Sequence, residues 1–149
     1  MKKLAPIILF TYKRLDTLKT TIHFLKKNKL ANKSNIYIYS DFYKTNGDKV
    51  NVMKVRKYLK EINGFNQKKI ILRKKSYGLA KNIINGVSEV LKKNNKVIVL
   101  EDDIRVSKYF LDYMNQALNL YEKKKKIWHI SGWNYNVKVF STHDAYFTR

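Results

Sequence analysis

The chain has no cysteine, so neither a disulfide framework nor a thiolate metal site is open to it. Proline occurs once, at Pro6, and glycine only five times. No P-loop pattern is present, and no G-x-G-x-x-G follows the first apolar run. Without such loops, ATP hydrolysis and the usual mode of dinucleotide binding are disfavoured. No apolar stretch approaches the ~18–20 residues of a membrane-spanning helix. Met1-Lys2-Lys3 ahead of apolar residues superficially suggests a signal peptide, but the run is short, Pro6 interrupts it and no small-residue cleavage site follows. It reads as a first buried strand, and the protein is expected to be cytoplasmic. The scarcest class is acid: 11 Asp and Glu stand against 32 Lys and Arg in 149 residues, a formal net charge of +21.

Against that background one run stands out, Lys96-Val97-Ile98-Val99-Leu100-Glu101-Asp102-Asp103. Four apolar residues lead into three consecutive acids. Neighbouring carboxylates repel one another, and burying them costs several kcal/mol unless something neutralises them. A hard divalent cation such as Mn²⁺ or Mg²⁺ does so, held by one or two carboxylates and by substrate phosphates. The alternative is that Asp102 or Asp103 caps a helix beginning near Ser107. The metal–diphosphate reading is favoured because open α/β sheets bind ligands at the carboxyl ends of their strands.

The positive charge has two readings. It attracts polyanions, whether nucleic acid, an anionic membrane surface or a nucleotide. Or it is compositional drift, since lysine greatly outnumbers arginine and asparagine is abundant. Specific nucleic-acid readers lean on arginine for bidentate contacts. The lysines here are spread along the helices, apart from Lys123-Lys124-Lys125-Lys126, which suits a solvated helix end. No specific nucleic-acid partner is therefore expected, whereas peripheral membrane association stays compatible with the charge. The rival class is a non-enzymatic basic binding module, supported by the charge and by 11 tyrosines. It leaves the acidic triplet unexplained.

An apolar fraction of 44% and an aromatic fraction of 13% fit one globular domain over residues 1–149. Strand and helix signals alternate along it. Residues 6–12, 35–40, 69–73 and 97–100 read as strands, and 127–130 as a fifth. Between them lie four apolar helical faces: Leu15, Leu18, Ile22 and Leu25; Val52, Val55, Leu59 and Ile62; Leu79, Ile83, Val87 and Val90; Leu111, Met114, Leu118 and Tyr121. Asn46-Gly47-Asp48 reads as the turn before the second helix, and Gly64 as its stop. This alternation predicts an α/β fold, a Rossmann-like, mostly parallel sheet with helices on both faces. All strands of such a sheet end at one edge, which would collect Arg14, Asp41 and the triplet at 101–103.

Arg14 follows the first strand, where it could grip a phosphate or a base edge, although a surface arginine at a helix start is the blander reading. Asp41 ends the second strand and can accept a hydrogen bond from a nucleobase imide or a ribose hydroxyl, or simply form an Asx turn. His23, His129 and His143 show no metal-ligand spacing.

Arg14, Asp41, Glu101-Asp102-Asp103 and Ile130-Ser131-Gly132-Trp133-Asn134 fall in the order seen in GT-A glycosyltransferases. The chain resembles bacterial family-2-type sugar transferases of surface-polysaccharide synthesis and is similar to N-acetylglucosaminyltransferase I. Val97-Ile98-Val99-Leu100-Glu101-Asp102-Asp103 and the residues up to Phe110 carry the closest likeness. The resemblance implies a metal-dependent transfer of sugar from a nucleotide-diphosphate donor, with uracil as the base, to a glycan or lipid-linked acceptor. It implies that Asp103 contacts Mn²⁺ and that Glu101 and Asp102 face the donor's sugar and ribose. Arg14 and Asp41 would hold the nucleotide, and Lys81, after Gly78, would approach the diphosphate. The family's second half, with the acceptor site and catalytic base, has no counterpart in these residues. Asp144 matches no such base, so the catalytic residue is unassigned. The chain reads as a donor-binding half, active alone or not, with residues 136–149 expected to be poorly packed or to depend on self-association.

Overall fold

The computed structural model describes residues 3–133. Four strands form one parallel sheet, β1 (Ile7–Thr11), β2 (Asn35–Ser40), β3 (Gln67–Leu72) and β4 (Ile98–Glu101), in the order β3-β2-β1-β4. Four α-helices alternate with them: α1 (Leu15–Lys26), α2 (Asn46–Glu61), α3 (Leu79–Leu91) and α4 (Phe110–Tyr121). A short 3₁₀ turn, Ala31–Lys33, precedes β2. The expected Rossmann-like α/β architecture is what forms, and each expected strand up to β4 starts and ends within two residues of the observed one.

Burial follows from position in the sheet. β1 has a neighbour on each side and helices on both faces, so all five of its residues are buried. Ile7, Leu9, Ile36, Ile38, Ile98 and Leu100 face a large core completed by α1, α2 and α4. Ile8, Phe10 and Tyr39 face the opposite way, onto α3. The Phe10 and Tyr39 rings stack with centroids 5.4 Å apart. Edge strand β3 alternates and is only partly buried.

Three expectations change. Residues 127–130 form no strand: the Ile127 N–H donates to the Lys124 carbonyl and the Trp128 indole N–H to that of Lys125, closing a turn. Trp128 is 92% exposed and only Ile130 packs on the core, so β4 is the sheet edge among the described residues. On α3 the buried residues are Asn82, Gly86 and Val90, with Ile83 and Val87 half-buried and Leu79 exposed. The helix rotates because it packs through Gly86, where a Cβ would come within 2.8 Å of the Phe10 ring. Asn46-Gly47-Asp48 is the first turn of α2 rather than a turn before it. Asn134, His143, Asp144 and the segment 136–149 lie outside the described residues.

Candidate functional site

The carboxyl ends of β1, β2 and β4 open onto a cavity of about 290 Å³. Arg14, Asp41, Glu101 and Asp102 all line it, as the alternation of elements predicted. Lys81 does not: it is exposed on α3, with its ammonium 5.8 Å from the Tyr77 ring centre. Its neighbour Asn82 lines the cavity instead, buried at the start of α3.

Asp102 is the buried centre of the site, 3% exposed. Phe10 pairs with Glu101 in the β1–β4 register, which carries the next residues of each strand alongside one another. One Asp102 oxygen accepts hydrogen bonds from the Thr11 hydroxyl (3.0 Å) and the Tyr12 N–H (3.1 Å). The other accepts from Arg14 Nη2 at 2.7 Å. These donors come from the last residue of β1 and from the short segment that leads into α1, so Asp102 fixes the wall of the cavity. Arg14 then reaches Asp103 with its other terminal nitrogen, Nη1, at 2.9 Å. The Asp102 charge, helped by Asp103, holds the Arg14 pKa above its ordinary value. Neither acid caps a helix: α4 begins only at Phe110, and its N-cap residue is Tyr109. Glu101 lines the cavity half-buried, and no ion pair is formed by it among the described residues.

Asp41 is buried and turns its carboxylate toward the loop before α3. It accepts from the N–H groups of Phe42 (2.9 Å), Tyr77 (2.9 Å) and Gly78 (2.9 Å). It therefore anchors the α3 entrance. Gly78 has φ of +73°, a left-handed conformation that glycine adopts without strain and that turns the chain into α3.

Several residues that frame the cavity carried no signal in the sequence reading. Asp48, in the first turn of α2, accepts from Tyr12 Oη (2.9 Å), Lys13 Nζ (2.7 Å) and Thr45 Oγ1 (3.0 Å). The Lys13 bond first, then Tyr12, lowers its pKa. This latch ties the β1–α1 segment to the start of α2. Arg56 donates to the carbonyls of Asp41 (3.2 Å) and Arg73 (2.8 Å), joining the ends of β2 and β3, and burial lowers its pKa. Arg73 lies between the Tyr39 and Tyr77 rings, at 5.0 and 4.8 Å, and donates to Asn82 and Glu89. One signal existed: arginine is rare in this lysine-rich chain, occurring at 14, 56, 73, 105 and 149. Three of those five positions hold the carboxyl edge of the sheet.

The chemistry of this edge is that of an anion site with its own acids: cations at Arg14, Lys13 and Lys44, and carboxylates at 101–103. The plant protein alpha-1,3-mannosyl-glycoprotein 2-beta-N-acetylglucosaminyltransferase of Arabidopsis thaliana is 39% identical over 54 residues, which is 36% of this chain and 12% of that protein. Among solved structures, S. aureus TarS superposes with a TM-score of 0.59 at 14% identity, covering 80% of this chain and 20% of that one, a likeness of fold. The chain thus spans about an eighth of the plant relative and a fifth of TarS. The GNT-I family matches residues 1–147, nearly the whole sequence. The chain belongs to the GNT-I family and carries the GT-A type of glycosyltransferase fold.

Proposed function

We propose that this chain is the donor-binding part of a glycosyltransferase that moves a sugar from a nucleoside diphosphate, UDP in the first instance, to a glycan or lipid-linked acceptor of a surface polysaccharide such as capsule or lipopolysaccharide. The observation that carries the reading is the convergence of Arg14, Asp41, Glu101 and Asp102 on one cavity, with Asp103 tied to it through Arg14. The cavity's cations suit a diphosphate, and Glu101, in no ion pair among the described residues, suits the hydroxyls of a sugar. On this reading the protein works in the cytoplasm at the inner face of a membrane, where a charge of +21 suits an anionic surface, and it has no sequence-specific nucleic-acid partner.

Asp103 fits a divalent cation, Mn²⁺ or Mg²⁺. It offers hard oxygen ligands, its side chain is 43% exposed, and it lies next to the cavity wall. Among the described residues no three Asp, Glu, His or Cys groups enclose an ion. The remaining ligands would then be diphosphate oxygens and water, as is common for such cations. A bound ion would neutralise charge on the departing nucleoside diphosphate. Arg14, held at Asp102, supplies a second, fixed positive charge on the same side of the cavity.

The test is calorimetry with UDP. Affinity should be higher with Mn²⁺ than with a chelator, and Asp103→Ala should remove that difference while the circular-dichroism spectrum stays unchanged. Equal UDP affinity with and without metal in the unaltered chain would sink the proposal.

A further inference from the structure

Asp103 already has a cationic partner within the chain. Arg14 divides its guanidinium between two carboxylates, Nη2 on Asp102 at 2.7 Å and Nη1 on Asp103 at 2.9 Å. The two bonds are unequal. Asp102 is 4% exposed at its side chain and also holds Thr11 and Tyr12, so its bond to Arg14 belongs to the packed wall of the site. The Asp103 bond joins side chains that are 51% and 43% exposed. An ion pair so solvated contributes little to stability and breaks cheaply.

We propose that Arg14 is the resident counter-cation of Asp103, and that it couples metal binding to diphosphate binding by changing partners. The inference rests on the metal–diphosphate reading above. A guanidinium and a divalent ion compete for the same Asp103 carboxylate, because like charges at one anion repel. With a divalent cation on Asp103, Nη1 would be released, while Nη2 would keep Arg14 moored to Asp102. The freed N–H groups remain at the cavity, which Arg14 lines. A diphosphate gives them a new anion in the planar, forked geometry that arginine offers. Metal alone therefore binds against a competitor. Metal with nucleotide binds without that penalty, because the displaced cation is re-paired. By linkage each ligand then raises the affinity for the other by the same factor. Arg14 acts here as a positioning residue and internal competitor, a role distinct from simply adding positive charge for phosphate.

The discriminating measurement is Mn²⁺ binding without nucleotide, read from the loss of the free-ion electron paramagnetic resonance signal. It uses the 149-residue chain with its natural sequence, Arg14→Lys, Arg14→Gln and Asp103→Asn. Lysine keeps a cation for buried Asp102 but cannot span both acids. Both Arg14 variants should bind Mn²⁺ alone more tightly, by about fivefold, the equivalent of one exposed ion pair. UDP should enhance Mn²⁺ binding by a larger factor in the natural chain than in either variant. Arg14→Lys carries the test if circular dichroism shows that Arg14→Gln does not fold. Unchanged or weaker Mn²⁺ binding in the folded Arg14 variants, with binding lost in Asp103→Asn, overturns the counter-cation role and leaves the metal site standing. No Asp103-dependent Mn²⁺ binding in the natural chain, with or without UDP, overturns both.

Discussion

Replacing Asp102 should weaken the fold more than replacing either neighbouring acid, and the size of the loss follows from its partners. Its carboxylate takes three hydrogen bonds, from the Thr11 hydroxyl, the Tyr12 N–H and Arg14. In Asp102→Ala the Thr11 hydroxyl stays buried and the Tyr12 N–H part-buried, and each abandoned polar group costs ~1–3 kcal/mol. Arg14 is half exposed and can return to water, so its share is held to ~1 kcal/mol or less. The sum is a loss of about 2–7 kcal/mol, which brackets the ~3–5 kcal/mol typical when one partner of a buried pair is removed. For a chain of this size each kcal/mol moves the melting temperature by ~2–4 °C. Asp102→Asn keeps one acceptor oxygen and should lose about half as much. Urea unfolding followed by circular dichroism gives the free energies, and hydrogen exchange at the Tyr12 amide gives a local reading: it should speed up in both variants. An Asp102→Ala chain within ~1 kcal/mol of the natural one, the scatter of ordinary surface changes, would refute the view that this carboxylate organises the β1–α1 segment.

Two further predictions concern the frame of the cavity. Asp48 has a folded pKa below its unfolded value of 3.8, so its latch stabilises the protein above about pH 4 and is lost as the pH falls through the lowered folded value; Asp48→Asn should flatten the acid limb of the stability–pH profile, and an unchanged limb would exclude the latch. Gly86→Ala puts a Cβ 2.8 Å from the Phe10 ring and 3.3 Å from Tyr39; thermal unfolding should show a loss of about 1–3 kcal/mol from overpacking, outweighing alanine's better helix propensity.

Much of this architecture was legible in the sequence because strand and helix periodicities differ and the strands are strongly apolar. Ile7–Thr11 and Ile98–Glu101 stand out for that reason. The strand expected at 127–130 failed because a short run with one alternating apolar pair cannot say whether a neighbouring strand exists to pair with it. The buried face of α3 failed for a different reason. Leu79 is apolar and Asn82 is polar, yet Asn82 is buried to accept from Arg73 while Leu79 stands in solvent. Hydrophobic periodicity has no term for a helix that must carry a polar partner inward. The gathering of Arg14, Asp41, Glu101 and Asp102 at one sheet edge was legible because topology alone assembles strand ends. Arg56 and Asp48 were not, since they reach the edge from inside α2, by contacts that no local spacing encodes.

The position of the cavity itself follows from the strand order. The chain runs outward from β1 to β2 and β3, then crosses back to lay β4 on the other side of β1. Such a reversal leaves a crevice beyond the carboxyl ends of the two strands that flank it. Here those strands are β1, leading into Tyr12-Lys13-Arg14, and β4, ending in Glu101 and followed by Asp102-Asp103. The reversal therefore sets the chain's most concentrated acidity beside an arginine, and neither segment is adjacent to the other in sequence. Their charges balance only in part: the Arg14 guanidinium offsets one of the two carboxylates it touches. Two of the triplet's three carboxylates remain beyond that pairing, in a cavity that Lys13 and Lys44 also line, the latter on the loop after β2. On the proposed reading, an anion entering beside the triplet would bring positive charge with it. A divalent cation bound to a diphosphate does so, and a phosphate-bearing polymer without one does not, which is why the acidic triplet weighs more in the functional reading than the lysines that outnumber it.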